Sequence, residues 1–338
     1  MIRDSEIYKN SIKAAAEEIS ADRGTFLVTG ATGMIGTCVV DVLQEANRSF
    51  GKGFTGYAMG RSREKLLSRF GSFPGIRCVV RDMAEEIELE KVDYIIHAAS
   101  NADPVSYARY PAETMLTNIL GAKNVLDFCR KANARALLTS SFEIYGKSDR
   151  SEFAESDYGT IDLDRIRSCY PVSKAAAETL FRAYCDEYGV DCVIARLPSV
   201  YGPTMQENDS KAHAQFLRNA VAGQDIVMKS RGEQKRTYCY VMDAVSGLLA
   251  VLFRGKPGEA YNIAGERSTA SIAEIARTVA SLTGRKVIFG EPNEAEGKGF
   301  SRPQDCVLDP TKIKALGWEC RYDVRSGLEE TIRILREK

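Results

Sequence analysis

From Thr25 onward, short apolar runs alternate with longer stretches in which apolar residues return every three or four positions. The runs are TFLVTG, GYAMG, CVV, DYIIHAAS and ALLTSS, with VDCVIARL (190–197) and AYNIAG (260–265) further on. The amphipathic stretches include one through Val39 and Leu43 and another near 113–131. Strands without inside-outside alternation, each followed by an amphipathic helix, predict a doubly wound parallel sheet of the α/β class with helices on both faces. That sheet is expected within 24–200 and to be completed by 241–265. The segments 201–240 and 266–338 are mixed, richer in Gly, Pro and charge, and end in a helical GLEETIRILREK; they predict a smaller substrate-covering lobe. Ahead of the sheet, residues 1–23 carry a partial helical stripe of Ile7, Ile12, Ala15, Ala16 and Ile19 before a break at Gly24, and are expected to form an added surface helix.

Composition narrows the function classes. The 338 residues hold 46 Lys plus Arg against 46 Asp plus Glu, a net charge of zero, with 44% hydrophobic residues. Such a chain buries a core and is neither disordered nor a tracker of nucleic-acid phosphates, so any anion site is local. The nine cysteines (38, 78, 129, 169, 185, 192, 239, 306 and 320) contain no C-x-x-C and sit beside no His pair of ligand spacing, which predicts reduced thiols and no metal centre. The start, MIRDSEIYKN, has no apolar core, and no run approaches the ~18 apolar residues of a membrane span. A cytoplasmic protein with neither nucleic acid nor membrane as partner is expected.

One segment has the form of an anion cradle. Gly30-Ala31-Thr32-Gly33-Met34-Ile35-Gly36 follows the first apolar run and opens a helix. Gly30 permits the tight turn, Gly33 lets backbone approach a pyrophosphate, Gly36 lets helix pack on strand, and the helix N–H groups face the anion. A second segment, Tyr170-Pro171-Val172-Ser173-Lys174, sets Tyr and Lys four apart on one helix face. A phenol titrates near 10 when unperturbed, so a neighbouring ammonium is what would let it act as a base at neutral pH. The pair lies about 140 residues after the glycine turn and about 30 after the Ser-rich run end Thr139-Ser140-Ser141.

Taken in this order, the turn, the Ser-rich strand end and the Tyr/Lys pair resemble the extended, nucleotide-sugar-modifying branch of the short-chain dehydrogenase/reductase superfamily, whose fold is a Rossmann-type sheet with a smaller C-terminal substrate-binding lobe. The likeness covers nearly all of 25–338. It implies that Gly30, Thr32, Gly33, Met34, Ile35 and Gly36 hold a dinucleotide, with Arg61 and Ser62 at its ribose, Asp82 and Met83 at its adenine, Ala98, Ala99 and Ser100 in a small-residue loop over it, and Asn118, Tyr170 and Lys174 at its far end. Arg61 suits a 2′-phosphate and so NADP, whereas relatives that recycle their cofactor internally use NAD; both remain open. His97, beside that loop, is expected to be structural.

The remaining matches bear on substrate. Ser140-Ser141-Phe142-Glu143-Ile144-Tyr145-Gly146 is similar to the family's S-[ST]-x-x-V-Y-G, which gives Ser141 the place of the catalytic Ser or Thr. Arg196-Leu197-Pro198-Ser199-Val200-Tyr201-Gly202-Pro203 resembles R-x-x-N-x-[YF]-G-P with Ser199 where the family has Asn. Arg236, in the stretch from Gln234 to Asp243, and Arg302 match contacts to the sugar nucleotide, and Leu316-Gly317-Trp318 matches a closing L-G-W. By the resemblance, Tyr170 takes a proton from a sugar hydroxyl while Ser141 holds that oxygen and hydride passes to the nicotinamide, leaving a transient 4-ketose.

Glu143 separates the possible outcomes. The 4,6-dehydratases read Thr-Asp-Glu at this point and UDP-glucuronate decarboxylases read Thr-Ser-Glu; here Phe142 stands before Glu143 and has no proton to donate. Decarboxylation of UDP-glucuronate or a similar acid sugar is therefore the leading expectation. A 4-epimerase, a 4,6-dehydratase, an NADP-dependent keto-sugar reductase and, outside enzymes, a dinucleotide-binding regulator stand as alternatives. The resemblance also implies a homodimer built on the helix that carries Tyr170 and Lys174, whose Ala175-Ala176-Ala177 and Leu180-Phe181 suit close packing.

Overall fold

The computed structural model describes residues 2–291 and 304–337. Its strands, in chain order, are β1 (Arg23–Thr29), β2 (Gly53–Gly60), β3 (Ile76–Val80), β4 (Tyr94–His97), β5 (Arg135–Ser141), β6 (Glu152–Phe153), β7 (Cys192–Leu197), β8 (Ser199–Tyr201), β9 (Ile226–Met228), β10 (Lys235–Tyr240), β11 (Ala260–Asn262), β12 (Thr269–Ser271), β13 (Val287–Phe289) and β14 (Val307–Leu308). Among the described residues, seven of these form one sheet in the order β11-β7-β5-β4-β1-β2-β3, with every neighbouring pair parallel. The winding reverses between β1 and β4, which opens a crevice beyond the carboxyl ends of those strands. Every apolar run named above lies on this sheet, so the expected Rossmann-type class is the observed one.

Side-chain alternation explains the two helical layers. On β1, Phe26 and Val28 face one core while Leu27 faces the other, and on β7, Val193 and Ala195 oppose Cys192 and Ile194 in the same way. One face is covered by α1 (Glu6–Ala16), α2 (Met34–Phe50) and α8 (Val241–Arg254). The other is covered by α5 (Pro111–Ala132) and α6 (Cys169–Tyr188). The short helices α3 (Arg63–Phe70) and α4 (Pro104–Arg109) flank the crevice.

The N-terminal helix is not merely laid on the surface. Tyr8, Ile12, Ala15, Ala16 and Ile19 are all buried in the same cluster as α2 and α8. The Tyr8 hydroxyl donates to Asp41 Oδ2 on α2 at 2.6 Å, and Arg3 Nε donates to Asp41 Oδ1 at 2.9 Å. The stripe in 1–23 marks a docking face, and buried polar pairing anchors it.

The remaining strands and helices build the lobe: a sheet ordered β12-β10-β8, a β9–β13 pair, α7 (Ala212–Val221), α9 (Ile272–Thr283) and the C-terminal helix Val324–Arg336. Its core is continuous with that under α2 and α8, since Phe216, Tyr238, Ile275 and Leu328 belong to the same cluster as Val39 and Leu248. Trp318, fully buried, donates from Nε1 to Ser246 Oγ at 2.9 Å and so ties the L-G-W segment to α8. The loop 202–211 then straps the lobe to the glycine turn. Gln206 Nε2 donates to the Thr32 carbonyl at 2.7 Å, Thr204 Oγ1 to the Met34 carbonyl at 3.3 Å, and Ser210 gives both its N–H (2.7 Å) and its hydroxyl (2.5 Å) to Asp103 Oδ1. No helix among the described residues is long and apolar enough to cross a membrane.

Candidate active site

Two cavities open at the crevice and share Ala98 and Ser100 on their walls. The smaller, about 210 Å³, is lined by Gly30, Thr32, Gly33, Arg61, Asp82, Met83, Ala98, Ala99 and Ser100, all anticipated from sequence, and by Arg81, Asn101, Thr117 and Gln206, which were not. Its floor is the glycine turn. Gly30 has φ +63°, and a Cβ there would lie 2.8 Å from the Ala98 carbonyl oxygen and from Ala99 backbone. Gly33 lines this cavity and caps α2 without a side chain, so no side chain of the cap occupies the first N–H groups of that helix. The buried hydroxyl of Ser100 has no hydrogen-bond partner within the protein. A glycine turn at a helix start, with a hydroxyl awaiting a partner and with Arg61, Asp82 and Met83 on the same lining, fits the adenosine-to-pyrophosphate half of a dinucleotide.

Three anticipated residues stand behind this wall. Gly36 is where α2 meets the turn, since a Cβ would come within 2.4 Å of the Gly30 carbonyl oxygen. The Ser62 hydroxyl caps α3 by accepting from Lys65 N–H at 3.3 Å. Asn118 is buried on α5 and donates to Ser173 Oγ at 2.9 Å, one layer from the cavity. Met34 and Ile35 line the larger cavity instead of the smaller one. Arg302 lies outside the described residues. At the ribose end Arg61 is exposed and ion-paired with Glu113 at 2.8 Å.

The larger cavity, about 510 Å³, gathers Ser141, Glu143, Tyr170, Lys174, Ser199 and Arg236 on its walls. Ser141 ends β5; Glu143 follows on a 3-10 turn; Tyr170 and Lys174 occupy the first two turns of α6, so strand end and helix start converge. Tyr170 is buried, which pushes its phenol up; Glu143 adds to this, while a hydrogen bond from Ser141 and the Arg167 charge pull the other way. Lys174 Nζ donates to the Thr139 carbonyl at 2.9 Å, and burial brings its ammonium down to about 8, against the opposing pull of Glu178. Beneath them, Arg196 forks onto Glu178 at 2.9 and 3.1 Å and reaches the Tyr145 hydroxyl at 3.0 Å, locking α6 to β7 and to the segment that carries Glu143. His97 is buried against Thr29 Oγ1 at 2.8 Å and burial lowers its pKa to about 3, so it stays neutral and structural at ordinary pH.

Sequence reading missed the partners of Glu143. Arg167, on the turn before α6, grips Glu143 with both Nη atoms at 2.7 and 2.9 Å and reaches the Tyr107 hydroxyl at 3.2 Å. The Tyr107 ring stacks on Tyr170 with centroids 5.1 Å apart. Their signal was faint: an Arg in a polar segment three residues before the Tyr, and a Tyr in the short helix α4 that follows β4. The Arg236 guanidinium sits 5.7 Å from the Phe142 ring centroid at one end of the cavity, which Lys229 and Lys211, the latter ion-paired with Asp209 at 3.3 Å, also line. His213 also lines this end; burial lowers it to about 4 despite Asp209 beside it, so it is neutral there.

Comparison with known proteins adds to this geometry. The family model described as NAD dependent epimerase/dehydratase family matches residues 26–264. UDP-glucuronic acid decarboxylase 5 of Arabidopsis thaliana is 33% identical over 91% of this chain and 89% of its own length. UDP-glucuronic acid decarboxylase 1 of Xenopus tropicalis is 31% identical over 94% of this chain and 73% of its own. Among solved structures, a dTDP-glucose 4,6-dehydratase from Streptomyces venezuelae with NAD bound superposes with a TM-score of 0.79 at 26% identity, covering 93% of this chain and 97% of that one. A UDP-glucose 4-epimerase from Thermotoga maritima gives 0.79 at 24% identity, over 93% and 99%.

Proposed function

The chain belongs to the NAD dependent epimerase/dehydratase family, and from that premise we propose that it removes carbon dioxide from UDP-glucuronate, or a closely similar acid sugar nucleotide, by way of a transient 4-ketose. The observation that carries this reading is that Glu143 and Arg236 line the cavity that Ser141, Tyr170 and Lys174 also line, with Arg236 5.7 Å from the ring of the protonless Phe142. Lys211 and Lys229, on the lining of the same cavity, suit the nucleotide diphosphate. When bound, an oxidised nicotinamide supplies an acceptor for the C4 hydride and a positive charge next to Tyr170.

The residues divide the remaining work. Tyr170 takes the proton of the 4-hydroxyl, Ser141 holds that oxygen, and the Lys174 ammonium favours the phenolate. The resulting C4 ketone stands β to the carboxylate. As the C5–C6 bond breaks, its electron pair spreads onto O4, where Ser141 and the reprotonated Tyr170 donate hydrogen bonds. Glu143 and Arg236 address C5, where a proton returns, and the hydride taken from C4 then goes back to it as Tyr170 gives its proton to O4, so that the cycle is redox-neutral.

We further propose NAD as the cofactor. Glu113, paired with Arg61, puts a carboxylate at the ribose end, where it opposes a 2′-phosphate. Mass spectrometry of the protein with UDP-glucuronate and NAD tests the whole reading: loss of carbon dioxide is the expected result, and Glu143→Gln is expected to slow it by about 10²-fold or more. An acid sugar left intact, with a neutral sugar nucleotide changed in configuration at constant mass, would replace decarboxylation by epimerisation. Stoichiometric use of NADPH would point to keto-sugar reduction.

A further inference from the structure

The Glu143–Arg167 pair raises a question that the reaction itself does not answer. Both side chains line the larger cavity, at 15% and 12% exposure, and face the space the reacting sugar must enter. Glu143 alone would put a fixed negative charge there. A neutral sugar is indifferent to such a charge, but a sugar carrying a carboxylate on C5 meets it at close range in a poorly solvated site, where like charges oppose each other strongly. The fork at 2.7 and 2.9 Å cancels that charge. Its aim is kept by the Tyr107 hydroxyl at 3.2 Å and by the guanidinium carbon 5.3 Å from the centre of the Tyr107 ring, itself stacked on Tyr170.

We propose that Arg167 is a positioning residue that sets specificity: by neutralising Glu143 within the cavity it admits a sugar nucleotide bearing a carboxylate, without itself binding that carboxylate. The inference rests on the reading that places the sugar's C5 side at Glu143. Arginine suits the task because its planar fork matches both carboxylate oxygens, which a lysine ammonium does not.

The test is calorimetric titration of NAD-loaded protein in a Tyr170→Phe background, which keeps the stacked ring and stops turnover. UDP-glucuronate and UDP-glucose are compared with Arg167 intact and in Arg167→Met, each with Glu143 and with Glu143→Gln. With Glu143 present, Arg167→Met is expected to weaken UDP-glucuronate about tenfold or more and UDP-glucose less than about twofold; with Glu143→Gln, the tenfold loss is expected to shrink to about twofold. Equal losses for both sugars would make Arg167 merely structural, and a loss that persists in Glu143→Gln would mean direct contact with the substrate; either overturns the proposal. If Arg167→Met does not fold, Arg167→Lys decides, because retained charge is expected to keep the acid-to-neutral preference within about threefold of the parent and an abolished preference would refute charge cancellation. Failure of the reaction reading is seen separately, since the protein with Tyr170 would then release no carbon dioxide whatever these affinities are.

Discussion

Lys174 carries the clearest pH signature at the scale of single residues. Burial brings its ammonium from 10.5 to about 8. The charge that favours the Tyr170 phenolate is therefore lost as pH rises through about 8, and the rate is expected to fall along a limb with that apparent pKa. Stability runs the opposite way. Between about 8 and 10.5 the unfolded chain holds a proton at this lysine that the folded chain does not, so the term strengthens folding as pH rises, by about 3 kcal/mol across the window. Rate profiles and urea midpoints of wild type against Lys174→Met check both signs; a limb unchanged by the substitution would assign it to another group. The gathering of the candidate site was legible where spacing announces it, as with Tyr170, Lys174 and Ser141, which line one cavity. Arg167 and Tyr107 were not, because their meaning lies in what they touch: Glu143 is 24 residues from Arg167 and 36 from Tyr107 in sequence, and no periodic pattern links them.

Among elements, the contact between the glycine turn and α2 is where the proposed cofactor site is most open to test. Gly36→Ala drives a Cβ to 2.4 Å from the Gly30 carbonyl oxygen and 2.7 Å from Ala31 Cα, so backbone must move. A cost of about 1–3 kcal/mol and a loss of NAD affinity of about tenfold or more are expected, read by thermal melting and dinucleotide titration. The other end of the helix is the control. Gly51 has φ +62° with nothing within 4 Å of a Cβ, so Gly51→Ala is expected to cost about 1 kcal/mol and leave affinity unchanged. The strands were readable because buried parallel strands are apolar on both faces, and α5 and α6 because their periodicity is long. The role of α1 was harder to read: its stripe is real, but Tyr8 and Arg3 reveal a docking face only once Asp41 of α2 is known to lie opposite.

For the molecule as a whole, α5 and α6 form an outer layer whose far side holds exposed apolar groups, Leu116 at 54% and Tyr188 at 40%. The inner side of α6, Ala177 and Phe181, is spent on this chain's own core, while Ala175 and Ala176 remain half-buried and available for close helix packing. Sedimentation is expected to give about twice 37.3 kDa, and Leu116→Glu to shift the mass toward the monomer. A monomeric wild type would reassign these residues to ordinary surface. The strap at 202–211 acts at the same scale. It ties the lobe to the turn beneath the pyrophosphate through Gln206 and Thr204, and to the loop before α4 through Ser210 and Asp103. A dinucleotide seated behind those bonds would leave only when several open together, so exchange is expected to be slower than turnover. Protein and coenzyme would then travel as one long-lived particle, reset within each cycle of the proposed reaction, and swings in the surrounding pool of reduced and oxidised coenzyme would pass it by.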